Sequence, residues 1–118
     1  MSLLKTIDPN PSFAPRENVP APGRLISGEP QFKTWAQDAA CNETVHTGVW
    51  EATPGVTHSI KGETFEFCHI LSGLIELTPE GGEPVVYRAG DSFVMKPGFV
   101  GTWKTIETVR KIYVTISP

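Results

Sequence analysis

The sequence predicts an all-β fold, a sandwich, jelly roll or small barrel, on three observations. Short β-prone runs recur through most of the chain, turn chemistry separates them, and no stretch sustains a helical period. The 118 residues amount to one domain with one core. Their 11 glycines and 11 prolines are unevenly placed: Pro9, Pro11, Pro15, Pro20, Pro22 and Pro30 crowd the start, and most glycines come later.

Residues 1–23 are polar, proline-rich and without period. Proline at that density forbids regular helix and favours extended chain. The segment reads either as a loose tail or as an extended N-terminal arm across the domain or its partner, with Leu3, Leu4, Ile7 and Phe13 as anchors. The arm is the reading adopted, with the domain proper over residues 24–118. Strands are expected at 24–26, 33–36, 45–52, 56–60, 64–71, 74–78, 84–87, 91–95, 101–106 and 109–116. Between them lie Pro54-Gly55, Lys61-Gly62, Ser72-Gly73, Glu80-Gly81-Gly82, Ala89-Gly90 and Pro97-Gly98. Residues 34–40 carry at most one or two helical turns. Alternation is clear in places: Ile75 and Leu77 share one face, and Leu74, Glu76 and Thr78 share the other.

Composition removes several functions. A net charge of −3 offers no basic patch for a nucleic-acid backbone. No apolar run approaches the roughly 18 residues of a membrane span. No secretory signal is expected from the opening residues, and Cys41 and Cys68 are too few and too far apart for a disulfide framework or a zinc knuckle. Two reduced thiols in a cytoplasmic protein are expected.

The chemistry concentrates in the centre of the chain. On an extended strand, Glu66, Cys68 and Ile70 share one face, and Phe65, Phe67, His69 and Leu71 share the other. One face is a carboxylate with small or apolar neighbours; the other is a broad apolar stripe carrying one imidazole.

The residues EFCHILSG, with Glu66 seven positions before Gly73, resemble the end of the first cupin motif. AGDSFVMKPGFVGTW, residues 89–103, resembles the second, and one hairpin centred on Glu80-Gly81-Gly82 separates the two. With GVWEATPG and TVRKIYV, these blocks are similar to small single-domain cupins of the ureidoglycine aminohydrolase and ethanolamine-utilisation types. The resemblance covers residues 44–116 well and 24–43 loosely. It implies a double-stranded β-helix, the cupin jelly roll, with a pocket between its sheets.

In metal-binding cupins two histidines precede the glutamate and a third follows the Pro-Gly turn. Here those positions fall around Ser59 to Gly62 and on Gly101, none of them histidine. Ureidoglycine aminohydrolase-like spacing falls on Ile60 and Gly62, with Glu66 in place of a histidine. The expectation is therefore no intrinsic metal and no cofactor.

A carboxylate between the sheets needs pairing or protonation, and Lys61, His58 and Lys111 are the neighbours in reach. Glu66 is the candidate catalytic acid/base or anchoring group. His58, Trp50, Trp103, Lys111 and Tyr113 are the candidate ligand-binding residues; Lys111 and Tyr113 share a face of the last strand that either reaches the pocket or lines the exterior. The indoles are expected as walls, with Trp103 beside the gap left by Gly101 and an N–H available to the ligand. Cys68 reads as a small buried hydrophobe, Asp91 as a turn residue and His46 as structural. The stripe carrying His69 is expected to bury itself in a homodimer. The function expected is binding of a small polar metabolite in a pocket centred on Glu66. The alternatives are a metal-dependent hydrolase, isomerase or dioxygenase built on Glu66 and His58, and a non-catalytic sensor or structural dimer.

Overall fold

The β-prone runs pair as antiparallel strands in a computed structural model that describes residues 2–118. Nine strands follow in order: β1 (Arg16–Asn18), β2 (Leu25–Gly28), β3 (Phe32–Ala40), β4 (Val45–Ala52), β5 (Gly55–Ile60), β6 (Phe65–Pro79), β7 (Val85–Arg88), β8 (Ser92–Met95) and β9 (Val100–Ile116). The described residues contain no helix, and so none long and apolar enough to cross a membrane.

Two long strands organise the sheet. The 17 residues of β9 pair along the 15 of β6, from Phe65 opposite Ile116 to Pro79 opposite Gly101. The register slips between Ile70 and Ile75, and there both strands bend. Gly73 makes the bend possible: its φ of 95° is left-handed, and a Cβ on it would strike the backbone of Thr108 and Val109. The bend divides the sheet into two halves that face each other. One half runs β1-β3-β4-β9-β6-β8 and the other β2-β5-β9-β6-β7. This is the jelly roll expected from the sequence, with the same two strands serving both walls.

The inner faces carry the core. Ile70, Ile75, Cys68 and Val109 are fully buried, with Leu77, Met95 and Phe93 around them. Burying an Ile, Leu or Val side chain contributes about 1.5–3 kcal/mol each, so this cluster drives closure of the two halves. Aromatic rings continue it across the interior: Phe32 lies 5.2 Å from Trp50, and Trp50 lies 5.5 Å from Trp103 nearly edge-on, at 85°.

Several boundaries differ from expectation. Residues 34–40 form most of β3, not a helical turn. Their pairing with β4, Thr34 opposite Trp50 and Trp35 opposite Val49, outweighs the helix preference of Ala and Gln. The expected strands 64–71 and 74–78 are one strand, as are 101–106 and 109–116. Asp91 serves its turn as expected, its carboxylate accepting from Arg88 N at 2.9 Å.

Within the first 23 residues, β1 pairs with the outer edge of β3. Ahead of it, Trp35 Nε1 donates to the carbonyl of Phe13 at 3.0 Å, and Asp8 and Gln37 exchange two hydrogen bonds at 2.8 Å. The Arg110 guanidinium lies 4.7 Å from the Trp35 ring and donates to Pro9 O and Asn10 Oδ1, both at 3.3 Å. Leu3 and Leu4 stand almost fully exposed on this chain. The attachment is polar, through backbone carbonyls and Arg110.

Candidate binding site

Glu66 lies inside the roll because alternation on β6 places it, with Cys68 and Ile70, on the inner face. Two ammoniums meet its carboxylate. Lys61, on the turn between β5 and β6, donates to Oε1 at 2.5 Å. Lys111, from the far half of β9, donates to Oε2 at 2.6 Å. Of the three partners considered from sequence, the lysines are the pair that close on Glu66. His58 is exposed and does not hydrogen-bond to it.

The electrostatics follow. Burial pushes the Glu66 carboxyl up, but the Lys111 and Lys61 ammoniums together outweigh it and bring the group down to about 2. Burial pushes the Lys111 ammonium down, while the Glu66 carboxylate holds it above the usual lysine value. Lys111 Nζ also lies 4.5 Å from the Trp50 ring centroid and 4.6 Å from that of Trp103. Its charge is thus shared between a carboxylate and two π faces, which makes a 5% exposed lysine tolerable. Cys68 Sγ lies 3.3 Å from Glu66 Oε2 and 3.5 Å from Lys111 Nζ. Burial, reinforced by Glu66, drives its thiol to about 12 against the pull of Lys111, so Cys68 stays protonated.

Around this cluster opens a cavity of about 540 Å³. All six residues singled out from sequence border it: Glu66, His58, Trp50, Trp103, Lys111 and Tyr113. Two details differ. The Trp103 N–H is donated to Thr105 Oγ1 at 3.0 Å and is not offered to a ligand. Gly101 leaves no gap, because a Cβ there would run into the carbonyl of Thr78 and the ring of Phe99.

That steric limit bears on metal binding. The position of a third histidine admits no side chain, and the one carboxylate has both oxygens engaged by ammoniums, which repel a cation. Among the described residues no three His, Cys, Asp or Glu gather as a ligand set. The donor set does not fit a first-row metal ion, which needs three or four such ligands.

Lys61 enters the site as more than a partner for Glu66, and three basic residues not put forward for the site also border the cavity. Arg16 comes from β1, Arg24 from the residue before β2, and His46 from the start of β4, where Glu43 O meets its Nε2 at 2.7 Å. On the opposite, outer face Phe65, Phe67, His69 and Leu71 are half-buried, and His69 Nδ1 pairs with Ser92 Oγ at 2.8 Å.

Several known proteins share this architecture. The family model described as the EutQ-like cupin domain matches residues 40–113. A protein of unknown function of the DUF861 family from Pseudomonas syringae superposes with a TM-score of 0.81 at 26% identity, over 92% of this chain and 46% of its own. The present chain therefore spans about half of that relative's length. A DUF861-family protein from Thermotoga maritima is 35% identical over 55% of this chain and 73% of its own, with a TM-score of 0.52. The Clostridium difficile EutQ protein shares the fold at 17% identity, with a TM-score of 0.63 over 75% of this chain and 69% of its own. No curated protein sequence matches significantly.

Proposed function

We propose, on the premise that the chain belongs to the EutQ-like cupin domain family, that its roll binds a small polar metabolite through an anionic group. The observation that carries this reading is the charge of the cavity wall. Four permanent cations, Arg16, Arg24, Lys61 and Lys111, face it against one carboxylate, an excess of three positive charges in a chain whose own net charge is −3. A concave surface of that sign concentrates anions.

Within this reading Glu66 is the anchoring group. A carboxyl near 2 carries no proton to give at neutral pH and is a feeble base, so its work is to orient the two ammoniums. Lys61, with a side chain 17% exposed, meets the ligand's anionic group, while Lys111 supplies charge from behind. Trp50 and Trp103 are the walls, and Tyr113 offers a hydroxyl.

The experiment is calorimetric titration of the intact chain with acetate, butyrate and inorganic phosphate at low and high salt. Anion binding that weakens with salt, and by about tenfold in Lys61→Met, supports the reading. Binding of neutral or cationic solutes in preference to every anion overturns it.

A further inference from the structure

The cations of the cavity fall into two groups from different parts of the chain. Lys61 and Lys111 meet at Glu66. Arg16 and Arg24 belong to the N-terminal segment and to the approach to β2, and among the described residues no carboxylate other than Glu66 lines the cavity with them. Register separates Arg16 from Lys111: Arg16 lies opposite Thr34, Thr34 opposite Trp50 and Trp50 opposite Lys111. That is three strand spacings, roughly 14 Å along the curved sheet between the Arg16 and Lys111 backbones. Both arginine backbones are hydrogen-bonded to the neighbouring strand. Arg16 is paired in β1, and the Arg24 carbonyl accepts from His58 N at 2.8 Å.

Resting on the anion-binding reading above, we infer that the ligand is a small acid with two anionic groups, one held at Lys61 and the other at Arg16 and Arg24. The Lys61 end has a built-in carboxylate competitor in Glu66, so it takes a single anionic group and discriminates little. The arginine end has none, and planar guanidiniums hold a carboxylate or phosphate in a two-point grip that a lysine does not match. Between the two ends the wall is the aromatic pair Phe32 and Trp50, with the hydroxyl of Thr34. That lining suits a short carbon chain joining two acids. The N-terminal segment is then a specificity element of the site, delivered there by its pairing with β3.

Titration of the intact chain with butyrate, succinate, glutarate, adipate and phosphoglycolate at one ionic strength tests this. At least one dianion is expected to bind about tenfold tighter than butyrate, and the phosphoglycolate arm separates a phosphate from a second carboxylate. In Arg16→Gln/Arg24→Gln that advantage should vanish, the dianion losing about tenfold more affinity than butyrate loses. Circular dichroism reports whether the double variant is folded, and Arg24→Gln alone serves if it is not. Equal affinity for mono- and dianions, or an advantage that survives in the folded variant, overturns the inference and leaves the anion-binding reading standing. Failure of every anion to bind removes that reading itself, and the inference with it.

Discussion

Lys111 Nζ stands 2.6 Å from Glu66 Oε2 although the two residues are not cross-strand neighbours. Glu66 lies opposite Thr115, and Lys111 lies opposite Ile70, so the lysine reaches along β6 past Cys68 to find the carboxylate. Both side chains are 7% exposed. A pair so buried adds little over an apolar pair of the same shape, but losing Lys111 strips Glu66 Oε2 of its ammonium and leaves the buried carboxylate with Lys61 alone. Lys111→Met is therefore expected to cost about 3–5 kcal/mol in urea unfolding. Unaltered stability in that variant would mean that Lys111 is not what compensates the buried Glu66 charge.

The acid limb of stability should belong to Glu66. Its folded value of about 2 lies below the ordinary 4.5, so its contribution is complete above pH 4.5 and is lost as pH falls towards 2. A shift of that size corresponds to about 3 kcal/mol. Lys111 is shifted the other way, and its contribution is kept through neutral pH and lost only above the usual lysine range. Urea midpoints measured between pH 2 and 6 should fall steeply for the native chain and flatten in Glu66→Gln.

Gly73 and Gly98 separate two costs that coincide in many glycines. Both have left-handed φ, 95° and 91°, so alanine at either meets backbone strain of about 1–2 kcal/mol. At Gly98 the space for a Cβ is open, whereas at Gly73 it holds the Thr108 backbone. Gly73→Ala should lose about 1–3 kcal/mol more than Gly98→Ala in chemical denaturation. Equal losses would show that the bend relaxes and is not fixed by that contact.

The two cysteines should differ sharply towards thiol reagents. Cys41 is exposed on the β3–β4 turn, and Cys68 is fully buried with its thiol raised to about 12. Native labelling followed by mass analysis should place the adduct on Cys41 alone, with Cys68 reacting only in denaturant. Rapid native labelling of Cys68 would mean that the Glu66 cluster opens on the timescale of the reagent.

Many strands are legible in the sequence where a polar turn intervenes, and they are lost where a strand bends without breaking or where a short segment such as β1 pairs only at a distance. Alternation and Pro54-Gly55 bound Val45–Ala52 correctly. Ser72-Gly73 has turn chemistry too, yet it sits inside β6, because a positive φ serves a bend as well as a turn. The inner-face position of Glu66 is legible from period and motif, whereas for Lys111 and Tyr113 the period gives a shared face and not which way it turns. Lys61 is visible as a charge within reach of Glu66. Arg16 and Arg24 are not visible, because only the pairing of β1 with β3 and the bond from His58 N carry them to the cavity. Such pairings between distant short segments leave no local pattern.

The double pairing of β9 has a consequence for how the cavity exchanges its contents. Its residues on either side of the Ile106–Thr108 bend are bonded on both edges, and they include Trp103, Lys111 and Tyr113. That wall cannot part without dismantling the whole ladder. The short strands β1 and β2 each hold on by a single edge. Traffic in and out should therefore pass on their side, with amide hydrogens near Arg16 and Leu25 exchanging freely while those around Lys111 wait for global unfolding. The ligand's doorway, with Arg16 and Arg24 beside it, and the buried Lys111–Glu66 pair would thus lie at opposite extremes of the molecule's own opening hierarchy.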